Sequence, residues 1–316
     1  MAAAKILITG GSGFIGLAVA QALVKAGHEV HTLDTYDASA EHVKYFRGSV
    51  LDQAAIRGAM EGCDYVIHLA AMLGVLQSTT KALECLDVNI LGTRNVLECS
   101  VQMKIKRFIL SSSSEVYGEP NEVPIKETTV LSPKSEYGVS KVVGEEYCRA
   151  YERKFGLPYT IIRFFNVYGA GQRDDFVMSA FTNAALQDQP LSIHGDGSQV
   201  RAFCYVDDMV DGVMRILFSG KTVNQTFNLG NPTEPISMYE LAKRIVRHAG
   251  KPESLIRKIP FEASDRTAAR DILQRFPDIS KIQKVIDFVP KISLDEGIQR
   301  ILAYKKAQML SKEKSA

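Results

Sequence analysis

The chain has 316 residues, 46% hydrophobic and 23% charged, enough apolar surface for one large α/β domain with or without a smaller lobe, and disorder is excluded for most of it. Its 38 Lys and Arg face 36 Asp and Glu, a formal charge of +2, so no long-range attraction to nucleic acid or to an anionic membrane is expected. No apolar stretch is long enough to span a bilayer, and the first residues lack the apolar core of a secretory signal. The five cysteines are dispersed without a C-x-x-C pair and the six histidines make no metal constellation, so no metal is expected and a cytoplasmic setting is.

Residues 5–9 read as a strand, 14–26 as a helix and 29–33 as a second strand. Between the first two lies Thr9-Gly10-Gly11-Ser12-Gly13-Phe14-Ile15-Gly16. Gly10, Gly13 and Gly16 form G-x-x-G-x-x-G after a strand and opening a helix, the physics of a dinucleotide loop. Glycine permits the tight turn and the close approach to pyrophosphate, and the helix N-terminus favours its charge. Asp34 ends the second strand, where a carboxylate accepts from a ribose hydroxyl. Thr35, Tyr36 and Asp37 follow it with no Lys or Arg, which favours NAD over NADP.

Further on, 64–69 and 107–110 are short apolar runs of strand length, with helical spacing over 86–102 between them. A helix over 136–155 ends at Gly156 and leads to a strand at 159–164, and 226–229 reads as one more strand. Strands alternating with helices predict a Rossmann-type doubly wound parallel sheet. From about residue 166 the pattern loosens, with helices expected at 238–248 and 294–308. The expected division is an NAD-binding domain over 1–165, with later returns near 202–230, and a smaller interwoven α/β substrate lobe over 166–316.

Ser111-Ser112-Ser113-Ser114-Glu115-Val116-Tyr117-Gly118 follows the strand at 107–110, and Tyr137-Gly138-Val139-Ser140-Lys141 lies downstream. Tyr137 and Lys141 are four apart and share a helix face. A phenol near pKa 10 is a poor base at neutral pH. A neighbouring ammonium and an oxidised nicotinamide would both lower that value, and such a Tyr takes the proton of a substrate hydroxyl while hydride leaves for NAD.

With these motifs the chain resembles the extended short-chain dehydrogenase/reductases, of the NAD-dependent nucleotide-sugar epimerase/dehydratase type, over nearly its whole length. The resemblance also rests on His68-Leu69-Ala70-Ala71, Asn89 with Gly92-Thr93, 163–169 and 195–208. It implies that Gly10, Gly13, Phe14, Ile15, Gly16, Asp34, Leu69, Ala70, Tyr137 and Lys141 bind NAD. It makes Ser113, Tyr137 and Lys141 catalytic, with Lys141 also holding the nicotinamide ribose. Asn166, Arg201 and Arg275 match residues that contact a substrate diphosphate, a task suited to bidentate guanidinium. Ser49 stands where the family often carries an adenine-contacting Asp. Tyr205-Val206-Asp207-Asp208 also matches the family, but packing and helix capping are its better reading.

All these enzymes, the resemblance implies, first oxidise C4 of the sugar. Glu115 then separates the outcomes. A carboxylate two residues beyond Ser113 can act as a base at C5, as a UDP-glucuronate decarboxylase or a nucleotide-sugar dehydratase would need. Ser114 stands where the dehydratases carry an Asp proton donor, and 68–71 with Gly74-Val75 look more like epimerases. The expected function is therefore a UDP-sugar 4-epimerase working through a 4-keto sugar. Decarboxylation or dehydration through Glu115 is the alternative. A non-catalytic NAD-binding regulator would lack Tyr137 or Lys141, and a simple alcohol reductase would not need Arg201 and Arg275. A homodimer through helices 86–102 and 136–155 is expected.

Overall fold

The computed structural model describes residues 3–38, 40–73, 81–260 and 272–315. The chain starts with β1 (Lys5–Thr9), α1 (Phe14–Lys25), β2 (Glu29–Asp34), β3 (Val43–Arg47), α2 (Gln53–Met60) and β4 (Tyr65–His68). It continues with α3 (Ala82–Leu86), a π turn (Asp87–Leu91), α4 (Gly92–Gln102), β5 (Arg107–Ser113), a 3-10 turn (Ser114–Tyr117), α5 (Glu136–Phe155) and β6 (Tyr159–Phe164). The strand β1 buries Ile6 and Ile8 toward one core and Leu7 toward the other, the period-two alternation of a sheet covered on both faces. Val19, Ala20 and Leu23 of α1 pack on the first face. Ile56 and Ala59 of α2, Val96 and Leu97 of α4 and Cys148 of α5 pack on the second.

The second half adds β7 (Val167–Tyr168), α6 (Val177–Leu186), β8 (Leu191–His194), β9 (Val200–Arg201), β10 (Cys204–Tyr205), α7 (Val206–Phe218) and β11 (Gln225–Leu229). It ends with β12 (Ile236–Ser237), α8 (Met238–Ala249), β13 (Ile256–Ile259), β14 (Gln274–Arg275), α9 (Ser280–Ile286) and α10 (Leu294–Ser315). The main sheet has seven strands in the order β11-β6-β5-β4-β1-β2-β3, and all are parallel. It is the doubly wound α/β sheet expected. Its order reverses at β1, so the C-terminal ends of β1 and β4 open the crevice where such sheets take ligands. Small sheets of two or three strands build the remainder, and one of them sets β9 beside both β12 and β14.

Two departures have physical causes. The helix expected over 86–102 is interrupted by the π turn, and the Thr93 hydroxyl just beyond it donates to the Asn89 carbonyl at 2.6 Å. The sequence reading has no helix at α2, which Asp52 caps by accepting from the amides of Ala54 and Ala55. Of the packing and capping expected at 205–208, the capping is not seen, since Tyr205 starts α7 without a side-chain bond, while the Asp208 carboxylate ties the helix to 291–292 by accepting from the amides of Lys291 and Ile292 at 3.0 and 2.9 Å. Gly74 and Val75 lie outside the described residues. Among the described residues no helix is long and apolar enough to cross a membrane.

Candidate active site

The glycine loop runs from β1 into α1 under close constraint. Gly10 sits at φ +73°, and a Cβ there would lie 2.6 Å from the amide nitrogen of Ala70. A Cβ on Gly16 would lie 2.2 Å from the carbonyl oxygen of Gly10. The backbone is thus drawn tight at the switch point between β1 and β4. Gly13 caps α1 without any side-chain bond, which leaves the first-turn amides of the helix for an anion. Asp34 closes the adjacent strand, its carboxylate accepting from the amides of Ser12 at 3.0 Å and Thr35 at 2.7 Å. Phe14 and Ile15 are half-buried against the core, and Leu69 packs there too. Loop, carboxylate and the 69–70 segment form one cradle whose donors and shape fit a dinucleotide pyrophosphate and ribose.

Next to it, α5 lies along β5. Lys141 is buried, and its ammonium donates to the Ser111 carbonyl at 2.8 Å while lying 5.6 Å from the centre of the Tyr137 ring. Burial lowers its pKa to about 8. Tyr137 hydrogen-bonds Ser113, whose hydroxyl also accepts from the Glu115 amide at 3.2 Å. Burial raises the phenol of Tyr137 above its ordinary value, the Ser113 bond draws it back, and the charges of Glu115 and Arg275 act on it in opposite directions. Desolvation thus dominates the phenol, and the lowering expected from Lys141 is not seen; its ammonium donates to Ser111 instead.

The third part comes from the second half of the chain. The parallel pairing of β14 with β9 sets Arg275 opposite Arg201. Arg201 donates to the carbonyls of Val200 at 2.9 Å and Leu273 at 3.4 Å. Asn166 holds a left-handed backbone at φ +34° just after β6 and donates to the Ala202 carbonyl at 3.0 Å. Its side-chain oxygen accepts from Arg275 at 3.4 Å. Arg275 also forms a close ion pair with Glu115, and its Nε is buried without a partner among the described residues. So Ser113, Tyr137, Lys141, Glu115, Asn166, Arg201 and Arg275, scattered over more than 160 residues, come to one region.

Sequence reasoning missed two buried networks behind these residues. Glu145, one turn beyond Lys141, accepts from Ser112 at 2.7 Å and from Arg163 at 2.8 and 2.6 Å. Arg163 in turn donates to the Tyr117 hydroxyl at 2.8 Å. The second network runs through His68, which bonds Thr9 at 2.7 Å and Thr93 at 3.0 Å. The signal for the first was Glu145 at i+8 from Tyr137 on the same helix face.

The sequence profile of the NAD dependent epimerase/dehydratase family matches residues 6–230. The chain is 32% identical over 317 residues to the UDP-N-acetyl-alpha-D-glucosaminuronate decarboxylase of Bacillus cytotoxicus, covering 95% of this chain and 97% of that protein. Its structure resembles that of the UDP-glucose 4-epimerase of Thermotoga maritima with UDP-glucose, at a TM-score of 0.89 and 30% identity, covering 96% and 99% of the two chains. It also resembles the UDP-glucuronic acid 4-epimerase of Bacillus cereus in complex with UDP-glucuronic acid and NAD, at a TM-score of 0.88 and 30% identity, with 96% and 99% covered.

Proposed function

The chain belongs to the NAD dependent epimerase/dehydratase family, and from that premise we propose that it is a nucleotide-sugar 4-epimerase acting on a UDP-hexose or UDP-hexuronate. The observation that carries this reading is the convergence on Tyr137. Its phenol bonds Ser113 and feels the charge of Arg275, so the hydroxyls for oxidation and an arginine for substrate anion share one site. The enzyme uses NAD, and the cradle of Gly10, Gly13, Phe14, Ile15, Gly16, Asp34, Leu69 and Ala70 would hold it, with Lys141 at the nicotinamide ribose. Bound NAD supplies a hydride acceptor and, when oxidised, a positive ring beside the phenol.

Ser113 holds the C4 oxygen of the sugar and Tyr137 removes its proton as C4 is oxidised. Arg201, Arg275 and Asn166 hold the diphosphate, leaving the hexose free to rotate about that anchor. Tyr137 then gives the proton back to the C4 oxygen, and the hydride that the bound cofactor would return reaches C4 on the opposite face. Residues 1–165, with the later return at β11, serve the cofactor and 166–316 mainly the substrate. The exposed apolar side chains of Leu91, at 45%, and Phe155, at 49%, on the π turn and α5, support a homodimer through these helices. Five buried free thiols fit a cytoplasmic setting.

A second reading rests on the ion pair of Glu115 with Arg275 inside the site. A guanidinium there can take a hexuronate carboxylate and Glu115 can act at C5, giving a decarboxylase. Incubating the protein with NAD and a panel of UDP-, GDP- and dTDP-sugars in heavy water separates the two. An isomer of unchanged mass without deuterium is the expected product. Loss of carbon dioxide or water, or deuterium at C5, would establish the lyase reading instead.

A further inference from the structure

Two runs of hydrogen bonds, which meet at the backbone and the side chain of Asn89, connect the cofactor cradle to the backbone of Tyr137. Thr9, the last residue of β1, bonds His68 Nδ1 at 2.7 Å, and its Oγ1 also lies 3.4 Å from the amide of Ala70. His68 Nε2 bonds Thr93 at 3.0 Å. The Thr93 hydroxyl donates to the Asn89 backbone carbonyl at 2.6 Å, within the π turn. The Asn89 side-chain amide donates to Ser140 at 3.0 Å, and the Ser140 hydroxyl donates to the Tyr137 carbonyl at 2.7 Å. All five side chains are buried.

Proton counting fixes the direction. Thr93 has one hydroxyl proton and gives it to the Asn89 carbonyl, so it accepts from His68. His68 then carries its proton on Nε2. A neutral ring leaves Nδ1 bare, and Thr9 donates to it. Every donor in the chain points from the phosphate loop toward Tyr137. A charged ring would break that order, because Nδ1–H would face the hydroxyl that has to donate, and burial keeps the ring neutral, with a pKa lowered to about 3.

We propose that His68 and Thr93 are positioning residues whose one-directional relay locks the first turn of α5, and with it the Tyr137 phenol, to the cradle that holds the cofactor. The proposal rests on the reading of Tyr137 as the acid and base. The relay touches neither sugar nor nicotinamide, so its loss changes alignment and leaves binding intact. Alignment is costly to lose, since small displacements of a reacting group lower rates by orders of magnitude.

The test compares Thr93→Val, Ser140→Ala and the double variant with the unaltered protein, on the UDP-sugar that the product screen identifies. Each single change is expected to lower kcat about tenfold while the dissociation constants for NAD and UDP stay within twofold. Because both break one relay, the double variant is expected to fall about tenfold as well, not a hundredfold. Nitrogen-15 NMR of the His68 ring, assigned with His68→Gln, is expected to show Nε2 protonated and Nδ1 bare from pH 8 to pH 5. A ring protonated on Nδ1, unchanged kcat in both singles, or multiplicative losses in the double would overturn the relay. Tyr137→Phe serves as the reference: retained turnover there would overturn the role of Tyr137 and the relay together, while an inactive Tyr137→Phe beside fully active relay variants would overturn the relay alone.

Discussion

Tyr137 is asked to lose a proton in a place that disfavours phenolate. Burial raises its pKa, and only its hydrogen bond from Ser113 and the charge of Arg275 act the other way. Removing the hydroxyl removes the group proposed to exchange that proton, so Tyr137→Phe is expected to lower kcat about a thousandfold, within the span of general acid–base effects. The Kd for UDP, measured by calorimetry, should stay within about threefold, because the proposed diphosphate site, Arg201, Arg275 and Asn166, is left unaltered. Ser113→Ala keeps the phenol and loses one hydroxyl partner, and a loss of about thirtyfold in kcat is expected. If Tyr137→Phe turned over at the unaltered rate, another group would have to carry the proton.

At the level of elements, what fixes the catalytic helix is a buried ion pair. Glu145 on α5 is fully buried, and it holds both Ser112 on β5 and Arg163 on β6. Arg163 then reaches the 3-10 turn through Tyr117, whose hydroxyl donates to Asn228 on β11 at 2.6 Å. One carboxylate thus sets the spacing of four elements under the site. Glu145→Ala leaves Arg163 buried without its counter-charge, so a loss of about 4 kcal/mol in urea unfolding is expected. Replacing both partners, Glu145→Leu with Arg163→Met, removes the stranded charge and is expected to cost less than the single change, a sign that a simple sum of contacts would not give. These networks also mark where the sequence is hard to read. The period of β1 and β6, the loop glycines and the four-residue spacing of Tyr137 and Lys141 are local patterns, and they appear in the structure where they were expected. The pairing of β14 with β9, which sets Arg275 opposite Arg201, joins segments more than 70 residues apart and leaves no periodic trace. The short β3 and α2 were missed because Val43–Arg47 is only half-buried and α2 is held by a cap and tertiary contacts more than by its own pattern.

Stability of the whole molecule should peak near neutrality, because burial holds His68 and several thiols in the neutral form. On the acid side, the folded pKa of His68 lies near 3 and that of an unfolded histidine near 6.5. Its contribution is complete above pH 6.5 and is lost as pH falls toward 3, because only the unfolded chain takes up the proton in that window. Between pH 7 and pH 5 this amounts to about 2 kcal/mol. On the alkaline side the buried thiols act with the opposite sign. Cys63 is raised to about 12 by burial, and Cys148 and Cys204 are raised further. Each stays protonated in the fold while the unfolded thiol ionises near 8.5, so each contribution is present below that value and is lost as pH rises. About 1 kcal/mol per thiol is gone by pH 9.5. Lys141 works against this limb, since its folded pKa near 8 lies below the unfolded 10.5 and its burial penalty is relieved as pH climbs between them. One ammonium offsets one or two thiols and leaves the rest. Urea midpoints at pH 5, 7 and 9.5 are therefore expected to be highest at pH 7. His68→Gln should flatten the acid limb and Cys148→Ala the alkaline one, and a midpoint that still rises from pH 7 to 9.5 would mean that the thiols ionise inside the fold.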